Sequence, residues 1–191
     1  MTENLSKSEL RTLALDRRAA LSEAQRVQAS HDAVNHLAVL IRSGETVALF
    51  HPIRGEMDPT ALSSAITAAG GTVLLPAVTK DEIEFRVHDP DTPLERGAFG
   101  TRHPPAMAGL SDPHLIIAPL AAFDREGNRI GYGGGFYDRA AACLTAANHA
   151  FRYVGIAFAC QEVEAVPAEP HDRRLDAVVT ENGLTAFTEL T

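Results

Sequence analysis

The sequence has no tryptophan, few other aromatic residues and only two cysteines among its 191 residues. Aromatic residues make up 6% of the chain, so leucine, isoleucine, valine and alanine must fill its core. Cys143 and Cys160 could form one disulfide, but a disulfide framework needs more pairs, and neither a CxxC motif nor the Cys/His spacing of a zinc site occurs. This usage is typical of a reducing compartment, and we expect a cytoplasmic protein.

Long hydrophobic runs and an excess of positive charge are also missing. The longest apolar run, residues 115–123, contains Pro119 and is far too short to cross a bilayer. The polar start, MTENLSKSELR, has no apolar segment of the kind found in signal peptides. The net charge of −8 argues against nucleic acid or an anionic membrane as the main partner. A phosphate site needs only local positive charge and is compatible with this balance.

The length and the apolar pattern predict one α/β domain over residues 1–191, since single domains usually have about 100–200 residues. The predicted strands are mostly continuous apolar runs between helices, which is typical of a mainly parallel sheet covered on both faces. Ligands of such sheets bind beyond the carboxyl ends of the strands. Helices are predicted over residues 5–20, 23–42, 59–69 and 136–147, and strands over residues 46–50, 72–75, 83–88, 114–118, 153–158 and 175–180.

A glycine-rich segment, FDREGNRIGYGGGFYDR at residues 123–139, has glycine at four of the five positions 131–135. Glycine adopts positive φ readily, and successive backbone amides at a helix N-terminus can bind a phosphate. The spacing is neither GxGxxG nor that of a Walker A loop, and a flexible turn is the alternative interpretation. The flanking Arg129, Asp138 and Arg139 favour a phosphate and metal site.

A second polar segment, VPAEPHDRRLD at residues 166–176, lies between two predicted strands. Asp172 could be a metal ligand, with Glu169 and His171 nearby. The alternative is a turn in which Asp172 accepts hydrogen bonds from its own backbone. The segment alone favours the turn.

Two further segments carry charged residues at positions suited to ligand binding. Glu56 follows the strand predicted at 46–50, where binding groups gather, although it could merely favour the dipole of a helix that Asp58 caps. Lys7 and Arg11 are four residues apart on one helix face and could meet a triphosphate. Solvated surface charge is the alternative for these two cations.

In their order and wording, these four segments resemble the 5-formyltetrahydrofolate cyclo-ligase family. The family's K-x-x-L-R matches residues 7–11, and its Glu-x-Asp/Thr matches residues 56–58. Its F-D-x-x-G-x-R-L-G-x-G-x-G-Y-Y-D matches residues 123–138, with Ile130 and Phe136 as changes, and its V-P-x-E-x-H-D-x-x-L-D matches residues 166–176. The resemblance covers residues 7–181.

The resemblance implies a three-layer α/β/α sandwich of the NagB/RpiA/CoA-transferase-like type. It implies an enzyme that converts 5-formyltetrahydrofolate and ATP to 5,10-methenyltetrahydrofolate, ADP and phosphate, with Mg²⁺. The formyl oxygen would be phosphorylated first, N10 would then attack the activated carbon, and phosphate would leave. The expected partners are these two small molecules, and the expected state is a monomer.

The resemblance also implies roles for individual residues. Asp138 and Asp172 would hold Mg²⁺, and Phe99 lies where members often place an aromatic ring against the pterin. The implied ATP-binding residues are Lys7, Arg11, Arg129, Gly131, Tyr132, Gly133, Gly134, Gly135, Phe136 and Tyr137. The implied substrate-binding residues are His51, Glu56, Phe99, Tyr132 and Phe136, and the implied catalytic residues are Glu56, Arg129, Gly134 and Tyr137.

Three positions depart from the family pattern. Gly134 stands where some members have lysine, His103 replaces a glutamate, and His51 replaces an aliphatic residue. The changes at His51 and His103 keep open a related ATP-dependent enzyme for another N-formyl or pterin-like compound. A non-catalytic folate- or nucleotide-binding protein is a further alternative, and a sugar-phosphate isomerase of the same fold is a weaker one.

Overall fold

The computed structural model describes residues 5–80, 82–169 and 172–190. Its α-helices are α1 (Lys7–Ala19), α2 (Glu23–Ala38), α3 (Leu62–Ala68) and α4 (Phe136–Ala146). Its strands are β1 (Thr46–Ala48), β2 (Thr72–Val78), β3 (Ile83–Val87), β4 (Glu95–Arg96), β5 (Arg102–His103), β6 (Leu115–Pro119), β7 (Ala122–Phe123), β8 (Arg129–Ile130), β9 (Arg152–Ile156), β10 (Ala177–Thr180) and β11 (Gly183–Ala186). Short 3₁₀ helices cover Ala98–Gly100 and Ala159–Gln161.

Seven strands form the main sheet in the order β11-β10-β9-β6-β1-β2-β3. The five inner strands pair in parallel, whereas the edge strands β11 and β3 are antiparallel to their neighbours. The mainly parallel sheet predicted from the apolar runs is therefore confirmed. The carboxyl ends of the parallel strands lie side by side, and this end of the sheet is called the carboxyl edge below. The β7–β8 hairpin follows β6 directly there.

Helices cover both faces of this sheet, as a three-layer sandwich requires. On one face α2 and α3 pack through residues such as Leu37 and Ile66 against Leu49 and Ile117. On the other face α4 packs through Leu144 and its alanines. Burying one leucine or isoleucine side chain contributes about 1.5–3 kcal/mol, so these two layers supply the framework that positions the carboxyl edge.

Helix α1 packs at the carboxyl edge rather than on a sheet face. Leu10 and Ala14 contact an apolar cluster from the β7–β8 hairpin and the segment after β9, which includes Ile130 and Val163. A capping box fixes its start, because Ser6 accepts from the Glu9 amide and the Glu9 carboxylate accepts from the Ser6 amide. A second capping box, formed by Ser22 and Gln25, fixes the start of α2.

The structure corrects several predicted boundaries. Asp58 does not cap α3: its carboxylate accepts from the Thr60 amide in a preceding turn, and the helix begins only at Leu62. Residues 89–113, where neither a helix nor a strand was predicted, contain the β4–β5 hairpin, and residues 123–135, likewise without a predicted element, contain β8. Strand β11 was not predicted.

Two global features bear on the earlier expectations. Among the described residues, no helix is long and apolar enough to cross a membrane. Cys143 and Cys160 are both free thiols.

Candidate active site

One face of α1 carries three cations that point to the carboxyl edge of the sheet: Lys7, Arg11 and Arg18. Their spacings of four and seven residues return to the same side of a helix. Each of them contacts a different segment of the edge, and those segments are the ones that the sequence pattern singled out.

Lys7 forms an ion pair with Asp172, with 2.7 Å between Nζ and Oδ2, and lies 3.6 Å from the Glu169 carboxylate. Burial alone would lower the pKa of Lys7, but the bond and charge of Asp172 and the charge of Glu169 raise it. Asp172 also accepts from the Glu169 amide at 2.8 Å, so the predicted turn exists as well. A predicted ATP-binding residue and a predicted metal ligand thus lie in contact. His171 lies outside the described residues.

Arg11 donates from Nε to the Gly131 carbonyl at 2.8 Å and so anchors the glycine-rich loop. Within that loop Gly133 has φ 95° and Gly135 has φ 63°, a region that favours glycine. Gly135 is the N-cap of α4 and gives it no side-chain hydrogen bond. The first amides of α4 are therefore available to an anion, as the glycine pattern predicted.

Arg129 is held inside the protein rather than presented to solvent, since its side chain is only 6% exposed. It forms an ion pair with Asp138, donates to the Arg173 carbonyl and lies 4.6 Å above the ring of Tyr153. This arrangement fixes Asp138 beside the first turn of α4. It supports Arg129 as the residue that holds Asp138, while a direct contact with ATP would require Arg129 to exchange partners.

Glu56 belongs to a buried polar cluster that sequence patterns did not reveal. Its carboxylate accepts from the Ile53 amide at 2.9 Å and lies close enough to the Tyr132 hydroxyl for the two groups to shift each other's pKa. Arg18, 6% exposed, donates to the same hydroxyl at 2.6 Å and to the Arg54 carbonyl at 3.0 Å. The ring of Tyr132 is 40% exposed, but its hydroxyl points into this cluster.

The cluster has unusual acid–base properties. Burial raises the pKa of Glu56, while the Ile53 amide, the Tyr132 hydroxyl and the positive charges of Arg18 and Arg54 oppose that rise. Burial and the Glu56 charge raise the pKa of Tyr132, so its hydroxyl stays protonated. Burial also raises the pKa of Tyr137, which lies within reach of the Glu56 charge. A buried carboxyl with a raised pKa beside a glycine loop is suited to proton transfer.

Two predicted substrate-binding residues meet as an aromatic pair at the surface. The rings of Phe99 and Phe136 are 6.1 Å apart and tilted by 57°, and Arg139 lies 4.9 Å from the Phe136 ring. Phe99 is 63% exposed and has φ 59°, at the tip of the β4–β5 hairpin. Gly134 fits this packing, because a Cβ there would lie 2.5 Å from the Phe136 ring. Lysine at position 134 would therefore require the ring to move.

The two histidines that depart from the family pattern have different surroundings. His51 is half-buried, and its Nδ1 is buried with no hydrogen-bond partner among the described residues. Burial, together with the nearby His51, lowers the pKa of His88, with Asp89 opposing the shift. His103 lies in β5, with Nδ1 2.9 Å from the Pro104 carbonyl. His51 is thus the one of the two that has an unsatisfied polar atom.

Sequence reasoning missed three buried polar residues that support the site: Arg18, Asp124 and Gln161. Asp124 accepts from the amides of Glu126, Asn128 and Val166, which ties the glycine-rich segment to the segment after β9. Gln161 donates to the carbonyls that follow β6. Asp124 stood in the F-D-x-x-G pattern, and Arg18 stood seven residues after Arg11, so the helix periodicity could have revealed it.

The two expected metal ligands are each paired with a cation, Asp138 with Arg129 and Asp172 with Lys7. In the part of the chain that the structure describes, no group of three or more His, Cys, Asp or Glu side chains could hold a metal. Mg²⁺ commonly uses one or two carboxylates and completes its shell with water and substrate phosphates. Two half-buried carboxylates beside an anion-binding loop fit such an ion.

Comparison with known proteins identifies the family of this chain. Residues 3–181 match the model of the 5-formyltetrahydrofolate cyclo-ligase family. The 5-formyltetrahydrofolate cyclo-ligase of Haemophilus influenzae is 34% identical over 87% of this chain and 92% of its own length. The enzyme of that name from Mycolicibacterium smegmatis is 32% identical over 95% of this chain and 97% of its own length.

A solved structure agrees as well. The NMR structure of Aquifex aeolicus 5,10-methenyltetrahydrofolate synthetase has a TM-score of 0.78 and 33% identity, with 95% of this chain and 92% of that chain covered. The resemblance inferred from the four segments is confirmed. The chain belongs to the 5-formyltetrahydrofolate cyclo-ligase family, a family of enzymes of the ligase class.

Proposed function

We propose that this protein uses ATP and Mg²⁺ to convert 5-formyltetrahydrofolate to 5,10-methenyltetrahydrofolate, ADP and phosphate. The observation that carries the proposal is the convergence of α1, the Glu56 loop and the Asp172 segment on one glycine-rich loop. That convergence supplies cations, backbone amides and a buried carboxyl within one edge of the sheet. The reaction needs all three kinds of group.

The phosphate-binding half is formed by α1 and the start of α4. Lys7 and Arg11 bring two positive charges to the glycine-rich loop. This loop leads into the N-terminus of α4, which no side chain of the described residues caps. Lys7 is bonded to Asp172 in the ligand-free arrangement, so ATP binding would move this cation from a carboxylate to a phosphate. The relatives are named for 5-formyltetrahydrofolate, so their names support the folate substrate, while the choice of ATP rests on this phosphate-binding arrangement.

The chemistry begins at an amide oxygen, which is a very poor leaving group. The formyl oxygen attacks the γ-phosphorus of ATP, and the bond to ADP breaks. N10 then attacks the activated formyl carbon, the carbon–oxygen bond breaks, and phosphate leaves with the bonding electrons. N10 must also lose its proton, and Glu56, whose buried carboxylate accepts from the Ile53 amide, would accept it.

Asp138 and Asp172 are the residues that would hold Mg²⁺. When bound, the ion would neutralise phosphate charge during transfer. Arg129 keeps the Asp138 carboxylate at the first turn of α4, and the move of Lys7 to a phosphate would leave the Asp172 carboxylate available to the ion. The remaining contribution of the protein is to align the reactants and exclude water.

The substrate half lies at the aromatic pair. Phe99 offers an exposed ring, beside the half-buried ring of Phe136, that a pterin or benzoyl ring could stack on. Location in the cytoplasm and a monomeric state remain predictions from the sequence.

A related reaction on another N-formyl or pterin-like compound is the second candidate. The observation that favours it is the buried Nδ1 of His51, which a ligand with a suitably placed polar group would satisfy. A panel of N-formyl compounds, compared by kcat/KM, separates the two candidates.

The experiment is to mix the purified protein with ATP, Mg²⁺ and 5-formyltetrahydrofolate and follow the near-ultraviolet absorbance of the methenyl product. We expect methenyl product and ADP in equal amounts, and neither when ATP is omitted. Glu56→Gln serves as the inactive control. ATP hydrolysis without methenyl product, or tight folate binding without any turnover, would contradict the proposal.

A further inference from the structure

We propose that Arg18 is a positioning residue that sets the geometry of Glu56 and Tyr132 and links them to the phosphate-binding face of α1. The proposal rests on the proposed function and assigns a role to a residue outside the motifs that identify the family. It follows from three observations: the contacts of Arg18, the strained loop that it holds, and its position on the helix.

The contacts of Arg18 account for its burial. A guanidinium that is only 6% exposed would be strongly destabilising unless it had hydrogen-bond partners. It donates to the Tyr132 hydroxyl at 2.6 Å and to the Arg54 carbonyl at 3.0 Å. Neither partner is a carboxylate that would neutralise it directly, so the charge acts on the polar cluster around Glu56.

These contacts also orient the Tyr132 proton. A guanidinium can only donate hydrogen bonds, so the hydroxyl must accept from Arg18 and direct its single proton elsewhere. The Leu120 carbonyl accepts that proton at 3.4 Å, and the Glu56 carboxylate lies close enough for its charge to raise the pKa of Tyr132. Arg18 therefore fixes the Tyr132 hydroxyl beside Glu56, and its own positive charge acts on the Glu56 carboxylate.

The loop that carries Glu56, which includes Arg54 and Gly55, must be stabilised by contacts with other segments. Arg54 has φ 50° and Gly55 has φ 75°, and a non-glycine residue in this region persists only where its surroundings enforce it. The bond from Arg18 to the Arg54 carbonyl is one such constraint, and the bond from the Ile53 amide to Glu56 is another. Without Arg18 the loop would lose its connection to α1.

The position of Arg18 on α1 links the two halves of the site. From Lys7 to Arg18 the helix rises about 16 Å, and it contacts the Asp172 segment, the glycine loop and the Glu56 loop along one face. A rigid helix with three such contacts aligns the acid–base group with the phosphate site.

The charged and titratable groups facing Glu56 are Arg18 from α1, Tyr132 from the glycine loop, Tyr137 from α4 and Arg54 from its own loop. Burial raises the pKa of Glu56, and Arg18 opposes that rise. Replacing Arg18 with a neutral residue removes the opposition, so the pKa of Glu56 rises further. Glu56 must be ionised to accept a proton, and the acid limb of the kcat/KM profile should therefore move to higher pH.

The experiment compares Arg18→Met and Arg18→Lys with Arg17→Met. Arg17 is the matched control, because it is exposed and, within the described part of the chain, its side chain donates only to the Glu162 carbonyl, at 3.0 Å. The Glu56 carboxyl is followed by ¹³C NMR in the ligand-free protein, with its resonance assigned by difference from Glu56→Gln. This titration needs no turnover, so it remains informative even if the proposed reaction fails.

We expect Arg18→Met to lower kcat about tenfold, the effect of one lost charged hydrogen bond, with little change in the KM for ATP. Its acid limb and its Glu56 titration should both move to higher pH. Arg18→Lys should bring the pKa of Glu56 most of the way back to its wild-type value, because the positive charge remains. It should not restore the full kcat, because an ammonium cannot reproduce both the bond to Tyr132 and the bond to Arg54. Arg17→Met should behave as the wild type does.

An unshifted Glu56 titration in folded Arg18→Met would overturn the proposal, as would an equal loss in Arg17→Met. If Arg18→Met does not fold, two other variants decide. Arg18→Lys should then still show reduced kcat with a near-normal titration, and Tyr132→Phe should raise the pKa of Glu56 by removing the hydroxyl that favours its charged form. Normal kinetics in Arg18→Lys, or no shift in Tyr132→Phe, would refute the role.

Discussion

The two ends of the sheet each bury an arginine, and the contrast between them separates support from function. At the amino end Arg152 opens β9 and is 7% exposed; it pairs with Glu45 and donates to the Leu40 carbonyl at 2.8 Å. At the carboxyl end Arg18 is 6% exposed and donates to Tyr132 and Arg54. The two residues are equally buried, and both have hydrogen-bond partners.

The two arginines differ in the segments to which their hydrogen-bond partners belong. Glu45 and Leu40 belong to the connection between α2 and β1, so Arg152 joins two parts of the scaffold to each other. Tyr132 and Arg54 lie in the glycine loop and in the Glu56 loop, so Arg18 reaches groups that a ligand would meet. Burial and charge pairing alone therefore do not identify a site, whereas the identity of the paired segments does.

The histidines repeat this contrast. At the amino end Nδ1 of His114 lies 2.7 Å from the Thr46 hydroxyl, and Nε2 of His149 lies 3.0 Å from the Pro113 carbonyl. The chain following β1 instead leaves Nδ1 of His51 buried and without a partner in the described ranges. Protein groups satisfy the first pair, while a ligand is one way to satisfy His51.

The largest effect on turnover is expected from Glu56→Gln, at the centre of the carboxyl end. An amide cannot accept the N10 proton, and general-base catalysis typically contributes about 10²–10⁴-fold, so we expect kcat to fall about a thousandfold. The raised pKa adds a second readout. Between the unfolded and folded pKa values the native state binds more protons, so Glu56 lowers stability as pH rises through that window.

Glu56→Gln removes this loss, and its thermal midpoint should therefore fall less than that of the wild type as pH rises from acid to neutral. Thermal denaturation across pH, run beside the kinetic assay, measures both effects. Near-normal turnover in a folded Glu56→Gln protein would show that Glu56 is not the base that accepts the N10 proton.

The next largest effect is expected from Asp138→Asn, which keeps the shape of the side chain and removes its charge. We expect kcat to fall at least about a hundredfold, roughly 2.7 kcal/mol of barrier. Asp172→Asn should behave similarly, and the double variant should be little worse than either single variant, because the two carboxylates act as one unit.

Asp16→Asn, on the exposed side of α1, is the control for the loss of one negative charge. Steady-state kinetics over a range of Mg²⁺ concentrations measures the effect. Full turnover of the wild type in excess chelator would exclude this pair of carboxylates as a metal site.

A smaller effect is expected from Phe99→Ala at the aromatic pair. A ring stacked on an aromatic ligand contributes about 1–3 kcal/mol, which corresponds to at least about fivefold in folate affinity. Calorimetric titration with folate and with ATP should show a loss for folate alone. Equal losses for the two ligands would mean that Phe99 supports the hairpin rather than the ligand.

The sequence was informative where local patterns decide structure. Continuous apolar runs predicted the parallel strands, and the segment at residues 123–138 placed Gly133 and Gly135 where positive φ is needed. It was uninformative where distant segments decide. The β4–β5 hairpin has two-residue polar strands without periodicity, and Arg18 differs from Arg17 only in which side of α1 meets the glycine loop.

The smallest effect on turnover, with a large effect on stability, is expected from Arg152→Met at the amino end. Removing one member of a buried ion pair costs about 3–5 kcal/mol, because the half-buried Glu45 would keep only the longer pair with Arg42, at 3.9 Å. Urea unfolding should show this loss. The double variant Arg152→Met with Glu45→Gln should recover part of it, since no charge would then remain unpaired.

Because the side-chain bonds of Arg152 within the described residues go to Leu40 and Glu45 at the amino end, the folded fraction of Arg152→Met should keep the wild-type kcat and the wild-type acid limb. Arg18→Met should do the opposite: its folded molecules should show an acid limb that has moved to higher pH. Activity is therefore compared per folded molecule, with the folded fraction measured by circular dichroism at the assay temperature. If folded Arg152→Met also shifted the acid limb, the two ends of the sheet would be coupled, and the separation of scaffold from site would fail.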